Sequence, residues 1–304
     1  MAADTNELPL ESRQYHPLVV VERKLGIDFS SLTIILKEAH ECFIKLNKTQ
    51  QRELEEVTRV MVLLKPDNYT AMNRRKDMML KGYINPKAEL ALIELIFTVP
   101  RHSKSSVAWY HRQWIHSQFR DNLRINVEKE MELCKITAEA NPRNYYSWTY
   151  RIWILSTYGI SDRLIDKEYN DVCQWLTLNI SDYSAFQYLH NVIIAHKNFN
   201  RNKHTDWINQ LIIKYPFHES LWYHKRFCSS LFISAEDYCA QQKQFVGEVL
   251  DDKYSNRSLI NSDLELTKQK IYAARFNKWL SFVENRHHGV SDTTLRKPDT
   301  LTGI

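Results

Sequence analysis

The sequence contains little glycine or proline. Six Gly and eight Pro in 304 residues are few for a turn-rich all-β protein, and they favour a helical fold. The glycines stand singly, so the chain has neither a phosphate-binding loop nor a dinucleotide-binding fingerprint. Enzyme classes that depend on such loops are therefore excluded.

Cysteine is also sparse, and no long apolar run exists. The five cysteines are scattered without a Cys-x-x-Cys pair: Cys42, Cys134, Cys173, Cys228 and Cys239. This odd, dispersed set fits a reducing compartment better than a disulfide framework. The first residues show no apolar signal core, and no segment approaches the roughly 18–20 apolar residues of a membrane span. We therefore expect a soluble, cytoplasmic chain.

Neither charge nor histidine forms a binding motif. The net charge of +5 is spread along the chain, so nucleic-acid binding is permitted but not indicated. The twelve histidines include no His-Glu-x-x-His motif and no zinc-type Cys/His spacing. We predict no metal ligand and no catalytic residue in this chain, which is typical of a binding scaffold rather than a self-sufficient enzyme.

The sequence does contain a repeated phrase of aromatic and basic residues. PRNYYSWTYRIW at 142–153 and KSSVAWYHRQW at 104–114 each place a Trp three residues before an Arg. The phrase recurs around a large apolar residue, here called the anchor, at steps of 37, 39, 38 and 36 residues: Met72, Trp109, Trp148, Phe186 and Trp222. A near-constant period of this length predicts stacked helical repeats with the anchors in the core.

Proline and capping residues indicate where each anchor helix begins. A proline ends the preceding helix six residues before three of the anchors, at Pro66, Pro142 and Pro216. The second unit has three extra residues after Pro100. The residues suited to cap the anchor helices are Asn68, Ser105, Asn144, Asp182 and, most weakly, His218. The intervening helices have candidate caps at Asn85 and Ser161.

Tyrosine and arginine flank the anchors. Tyr69, Tyr145 and Tyr183 stand three residues before an anchor, and basic residues stand three after it: Arg75, Arg112, Arg151 and Lys225. These spacings suggest one stripe along each helix. We expect each Arg to lie over the anchor ring or to pair with a carboxylate on the neighbouring helix, clamping one repeat to the next.

The predicted fold is all-α, a right-handed α-α superhelix without β-sheet. Residues 1–28 form an N-terminal extension, 29–283 a single solenoid, and 284–304 a tail expected to be disordered. The solenoid has five repeats at about 60–235, each an anchor helix and the helix after it. A leading pair from about 30–64 and a closing helix from about 263–283 complete it.

The phrase resembles the signature of protein prenyltransferase α-subunit repeats, Pro-x-Asn-Tyr-x-x-Trp-x-x-Arg. PRNYYSWTYR at 142–151 matches every fixed position, and the resemblance covers roughly residues 60–230. VVVERKLGI at 19–27 and the divergent fourth unit are similar to an orphan branch of that family. The resemblance implies a crescent wrapped around a β subunit, which holds the catalytic zinc and the isoprenoid pocket.

The same resemblance implies a function for the pair, a protein geranylgeranyltransferase of the third type. The β subunit would be that of the Rab enzyme, and geranylgeranyl diphosphate the co-substrate. The acceptor would be a farnesylated protein such as a SNARE. The present chain would bind no cofactor and would orient the acceptor while its cysteine is modified.

The resemblance also implies a contact with the diphosphate. In the family, a Lys immediately before the Asn-Tyr of the second and third repeats reaches toward that group, and the matching residues here are Lys104 and Arg143. The associated Tyr is kept as Tyr145 but is replaced by Ser106 in the second repeat. A cation here could offset charge on the leaving group. For Lys104, a plain solvated cation is the alternative interpretation.

Two other functions stay open from the sequence. A helical-repeat adaptor without an enzymatic partner would have the same fold. An RNA-binding repeat of about this period would need variable polar pairs at fixed positions and a basic face. The repeated phrase instead keeps an aromatic residue and an Arg at fixed positions, which disfavours RNA binding.

Overall fold

The computed structural model describes residues 18–21, 24–47, 49–234, 237–254 and 263–289. They belong to two compact units, Met1–Gly159 and Ile160–Ile304, each of which is described by itself. Most of the predicted extension and the last fifteen residues of the predicted tail lie outside the described residues.

The first unit opens with a short antiparallel hairpin. Strand β1 (Leu18–Val21) pairs with β2 (Lys24–Ile27), with Leu18 opposite Ile27. The expectation of no β-sheet is wrong at this hairpin. Its valine run has high β propensity, because branched side chains fit an extended backbone.

After the hairpin, the described residues of the first unit are mainly helical. Its helices are α1 (Phe29–Lys45), α2 (Gln51–Leu64), α3 (Tyr69–Leu80), α4 (Pro86–Phe97), α5 (Ser106–Gln118), α6 (Val127–Ala140) and α7 (Tyr145–Tyr158). A 3-10 turn, His102–Lys104, precedes α5 and accommodates the three extra residues of the second repeat. Helix α2 packs on α3, α4 on α5, and α6 on α7. Each anchor helix is therefore the second member of its pair, whereas the sequence pattern grouped it with the helix that follows.

The second unit continues the pairing. Its helices are α8 (Asp162–Leu178), α9 (Tyr183–Ala195), α10 (Arg201–Lys214), α11 (Glu219–Phe232), α12 (Tyr238–Leu250) and α13 (Asp263–Gly289). Helix α8 packs on α9, α10 on α11, and α13 on both α11 and α12. Because α13 runs six residues past its predicted end at 283, residues 284–289 are helical rather than part of a tail.

The all-α fold class of the α-α solenoid type is confirmed, with the β-hairpin as a small addition before the repeats. Among the described helices, none combines the length and the apolar character needed to cross a membrane.

The anchors lie in the core. Met72, Trp109, Trp148, Phe186 and Trp222 are each at most 3% exposed. The Trp109 ring centroid lies 4.3 Å from that of Phe97 and 5.0 Å from that of Tyr150. One anchor thus contacts both its paired helix and the anchor helix of the next repeat.

Most predicted caps form. The side chains of Asn68, Ser105 and Asp182 accept hydrogen bonds from first-turn amides of α3, α5 and α9, and Asn85 and Ser161 do so for α4 and α8. Asn144 is at the cap position of α7, but its side chain makes no capping bond. Its amide instead donates to the Ser103 carbonyl, so this prediction is wrong for a geometric reason. His218 also makes no side-chain cap bond.

Candidate functional site

A buried ion pair joins the first anchor helix to the helix that follows it. The Arg75 side chain is 2% exposed, and its Nε and Nη2 donate to the two Glu89 carboxylate oxygens at 2.9 and 2.6 Å. Its Nη1 donates to the Glu55 carbonyl at 3.0 Å. Since these residues lie on α3, α4 and α2, one guanidinium clamps three helices together.

Arg112 makes the same clamp one repeat later. Its Nε and Nη2 each lie 2.7 Å from an oxygen of Glu130 on α6. Its Nη1 donates to the Leu90 carbonyl on α4 at 3.1 Å. The guanidinium is 1% exposed, so the charge is neutralised within the protein and is not available to a ligand.

The contacts of the remaining basic positions, Arg151 and Lys225, include an aromatic ring and side-chain amides. The Arg151 guanidinium is buried and lies 5.5 Å from the Trp148 ring centroid. This is the position over the anchor ring that the sequence predicts as one of two alternatives. Lys225 donates to Asn209 Oδ1 at 2.6 Å and to Gln242. Burial lowers the pKa of Lys225 to about 7, because neither amide supplies the negative charge that a carboxylate would.

At three anchors, the polar residue two positions after the anchor binds an acid on the helix paired with the anchor helix. His111 Nε2 lies 2.9 Å from Glu89 Oε1, and the Tyr150 hydroxyl donates to Glu130 at 2.8 Å. In the second unit, the Tyr188 hydroxyl donates to Glu168 at 2.5 Å. Each of these acids therefore binds the anchor helix of its own pair. The sequence pattern hid this feature because the residue type at this position varies between repeats.

The buried acids are ionised. Burial by itself would raise the pKa of Glu89, but the hydrogen bonds from His111 and Arg75 outweigh it and lower the pKa to about 2. For Glu130, His116 and Arg112 outweigh burial in the same way, and the pKa is again about 2. The clamps are thus charged at neutral pH.

The tyrosines and arginines of the phrase do not share one stripe. Tyr69, Tyr145 and Tyr183 are 65%, 60% and 49% exposed, whereas the arginines are buried. Residues six positions apart on a helix are rotated by about 240°, which puts them on different faces. The tyrosines therefore mark a solvent-exposed face.

The starts of α5 and α7 are joined at one edge of the first unit. The Ser103 carbonyl accepts from Trp109 Nε1 at 2.7 Å and from Asn144 Nδ2 at 2.9 Å. A similar bond links the start of α5 to the start of α3, because Ser105 Oγ donates to Asp67 Oδ1 at 2.6 Å. These bonds connect the starts of α3, α5 and α7. We call this surface, from Asp67 to Tyr145, the helix-start edge.

Lys104 and Arg143 lie on this edge. They adjoin Ser103 and Asn144, the residues that make the connecting hydrogen bond. Both side chains are exposed, and within the described part of the chain neither cation has an ion-pair or hydrogen-bond partner. Tyr145, the third candidate, is exposed with its ring centroid 5.3 Å from that of Tyr146. The structure brings the three candidates to one edge, where two unneutralised cations face solvent.

Arg143 has a left-handed backbone, with φ of 62°. This conformation is uncommon for a residue other than Gly, Asn or Asp and costs on the order of 1 kcal/mol. The motif sequence did not reveal it. The strain fixes the direction in which the chain enters α7.

The second unit contains a Cys/His set that sequence spacing did not reveal. His204 on α10 meets His224 and Cys228 on α11, close enough for all three to bind one metal ion. His190 on α9 contacts His224. We call these four residues the histidine cluster.

Comparison with known proteins finds a family model that matches two segments of the chain. The family model for the protein prenyltransferase alpha subunit repeat matches residues 127–158 and 202–232. These two segments are therefore similar to the alpha subunit repeat of protein prenyltransferases. The two matches coincide with the pairs α6–α7 and α10–α11, so the family repeat also ends on the anchor helix.

Related proteins carry prenyltransferase names. Protein prenyltransferase alpha subunit repeat-containing protein 1 from Danio rerio is 26% identical over 72% of this chain and 66% of its own length. Its Homo sapiens counterpart is 26% identical over 72% of this chain and 70% of its own. Geranylgeranyl transferase type-2 subunit alpha from Rattus norvegicus is 29% identical over 46% of this chain and 26% of its own length. The chain thus spans about two thirds of the first two relatives.

Proposed function

We propose that this chain is the non-catalytic alpha subunit of a protein geranylgeranyltransferase heterodimer. Its repeats and its similarity to a geranylgeranyl transferase alpha subunit support this assignment. The observation that carries it is the pair of unneutralised cations, Lys104 and Arg143, on the helix-start edge. The buried Arg75 and Arg112 are engaged internally, whereas Lys104 and Arg143 are exposed and can meet an anionic ligand.

The chemistry of transfer suits this pair. When a cysteine thiolate displaces diphosphate from the isoprenoid carbon, negative charge builds on the leaving oxygens, and a fixed cation stabilises that charge. The Arg143 guanidinium stays charged at any working pH and can donate two parallel hydrogen bonds to phosphate oxygens. Lys104 would act as a point charge. The exposed Tyr145 hydroxyl could donate one further bond.

The remaining parts of the reaction belong to a partner in this proposal. A β subunit, that of the Rab enzyme, supplies the catalytic zinc and the isoprenoid pocket. The acceptor is a farnesylated protein such as a SNARE, modified in the cytoplasm. The present chain orients that acceptor and closes the diphosphate side of the site.

A helical-repeat adaptor is the second candidate. One observation favours it: Ser106 stands where the family has the Tyr of the second repeat, which removes one expected diphosphate contact. An adaptor would bind its partner without changing a transfer rate.

A transfer assay separates the two candidates. Labelled geranylgeranyl diphosphate and a farnesylated acceptor are incubated with this chain, with the Rab β subunit, and with both together. We expect incorporation of label only with both. If the β subunit transfers the group equally well without this chain, or if the two together transfer none, the alpha-subunit assignment is wrong.

A further inference from the structure

We propose that the histidine cluster is a zinc-binding site of the alpha chain itself, with His204 Nε2, His224 Nε2 and Cys228 Sγ as ligands. The three residues are buried and come from two helices packed as a pair, α10 and α11. The inference is independent of the proposed function, because the partner's zinc lies on another chain.

The three ligand atoms already converge. The Nε2 atoms of His204 and His224 lie 2.8 Å apart, and His224 Nε2 lies 3.4 Å from Cys228 Sγ. With Zn–N near 2.0 Å and Zn–S near 2.3 Å, tetrahedral ligands stand about 3.3–3.6 Å apart. Opening the cluster by about 0.5 Å would therefore admit the ion. His224 and Cys228 are one helical turn apart and so face the same way.

The outer ring nitrogens of both histidines are held in place. The Tyr169 hydroxyl lies 2.8 Å from His204 Nδ1, and His190 Nε2 lies 3.0 Å from His224 Nδ1. A metal-binding histidine typically uses its second nitrogen in such a bond, which fixes the ring with its other nitrogen toward the metal. Both orienting partners are thus present without further rearrangement.

The residues of the Arg75 and Arg112 clamps are not kept at the matching positions of α9 and α10. Leu189 stands three residues after its anchor, where Arg75 and Arg112 stand in theirs. His204 is the fourth residue of α10 and Glu130 is the fourth residue of α6, so the two occupy matching positions. These positions therefore have neither the guanidinium nor the carboxylate. A divalent ion held by His204 and His224 would add a tie between α10 and α11 to the Lys225–Asn209 hydrogen bond.

Protonation is compatible with this role. Burial lowers the pKa of His204 to about 3, which leaves its imidazole neutral and able to coordinate. Burial raises the pKa of the Cys228 thiol, so the ion must displace that proton to solvent as it binds. Three protein ligands leave one coordination position for a water molecule.

Metal analysis of the untagged chain, purified without any β subunit, tests the proposal. We expect about one zinc ion per chain, and a loss of zinc to background in His204→Gln and in Cys228→Ser. Cys134→Ser is the matched control, because Cys134 is as buried as Cys228 but lies on α6; it should keep its zinc. Zinc in the wild-type chain no higher than in a His204→Gln/Cys228→Ser double variant would overturn the site.

Cobalt substitution covers the case in which a variant fails to fold. Wild-type chain stripped of metal and loaded with Co²⁺ should show the charge-transfer absorption of a cobalt–thiolate bond. Co²⁺ that binds without this band, or fails to bind, would also overturn the proposal. In that case Tyr169, His204, His224 and His190 would form only a chain of neutral hydrogen bonds.

Discussion

The Ser103 carbonyl accepts a 2.9 Å hydrogen bond from Asn144 Nδ2, which ties the turn before α5 to the start of α7. The anchor Trp109 donates to the same carbonyl at 2.7 Å. A core residue therefore fixes the backbone beside Lys104 and Arg143. The positions of the two exposed cations depend on the packing of the repeat and not only on flexible side chains.

Replacing Arg143 should slow prenyl transfer without weakening assembly. Arg143→Asn is the suitable variant, because Asn tolerates the left-handed backbone of this residue. We expect transfer by the heterodimer to fall roughly 10–1000-fold, as for the loss of one preorganised donor. Arg143→Lys should retain much of the rate, and Lys104→Ala should have the smaller effect.

The control for Arg143 is Arg124→Asn. Arg124 is also exposed and follows the opposite end of α5, roughly 20 Å away along that helix. Its replacement should leave turnover unchanged. Unchanged turnover and isoprenoid affinity in Arg143→Asn as well would reduce Arg143 to a solvated surface cation.

Removing one partner of a buried clamp should be costly. Glu89→Gln leaves the Arg75 guanidinium with only Glu55 as an acidic partner, at 3.2 Å, and should lower the free energy of unfolding by about 3 kcal/mol. Glu56→Gln breaks only the exposed pair with Arg52 and should cost under about 0.5 kcal/mol. Urea unfolding of the two variants measures the difference. Equal losses would mean that the buried pair adds nothing to stability.

The same acids predict loss of stability in acid. The pKa values of Glu89 and Glu130 fall from 4.5 to about 2 on folding, so the unfolded chain binds protons more readily. Their contribution is complete above pH 4.5 and is lost as the pH falls toward 2. It is on the order of 3 kcal/mol for each acid. Glu89→Gln should therefore lose less stability than the wild type between pH 7 and pH 3; an equal loss would contradict this account.

The anchors should carry much of the core energy. Trp148 is 3% exposed, so Trp148→Ala should cost about 3–5 kcal/mol. Tyr145 lies three residues earlier in the same helix and is 60% exposed, and Tyr145→Ala should cost well under about 1 kcal/mol. Thermal or urea unfolding decides this comparison. A loss below about 1 kcal/mol for Trp148→Ala would remove its role in the repeat core.

Much of the fold could be predicted because it is periodic. A large apolar residue recurring near every 38 residues marks the anchor helices, and prolines and cap residues mark their starts. Glu89 and Glu130 could not be connected to His111 and Tyr150 from the sequence, because each bond crosses between helices. Which helix an anchor helix pairs with is also a tertiary property, and the sequence grouping was shifted by one helix.

The candidate site was only partly predictable. Lys104 and Arg143 are candidates through the resemblance to the family, but their common edge depends on the Ser103–Asn144 bond. The left-handed φ of Arg143 has no motif signal. The histidine cluster was missed because His204 and His224 lie twenty residues apart on different helices. Sequence spacing detects ligands on one element far better than ligands that packing brings together.

Co-purification tests the central claim most directly. The untagged chain is co-expressed with a tagged Rab β subunit, and the material retained on the tag is passed over a sizing column. The account predicts a stable complex with one copy of each chain, formed equally by the wild type and by Arg143→Asn. A wild-type chain that is well folded but elutes apart from the β subunit would contradict the account.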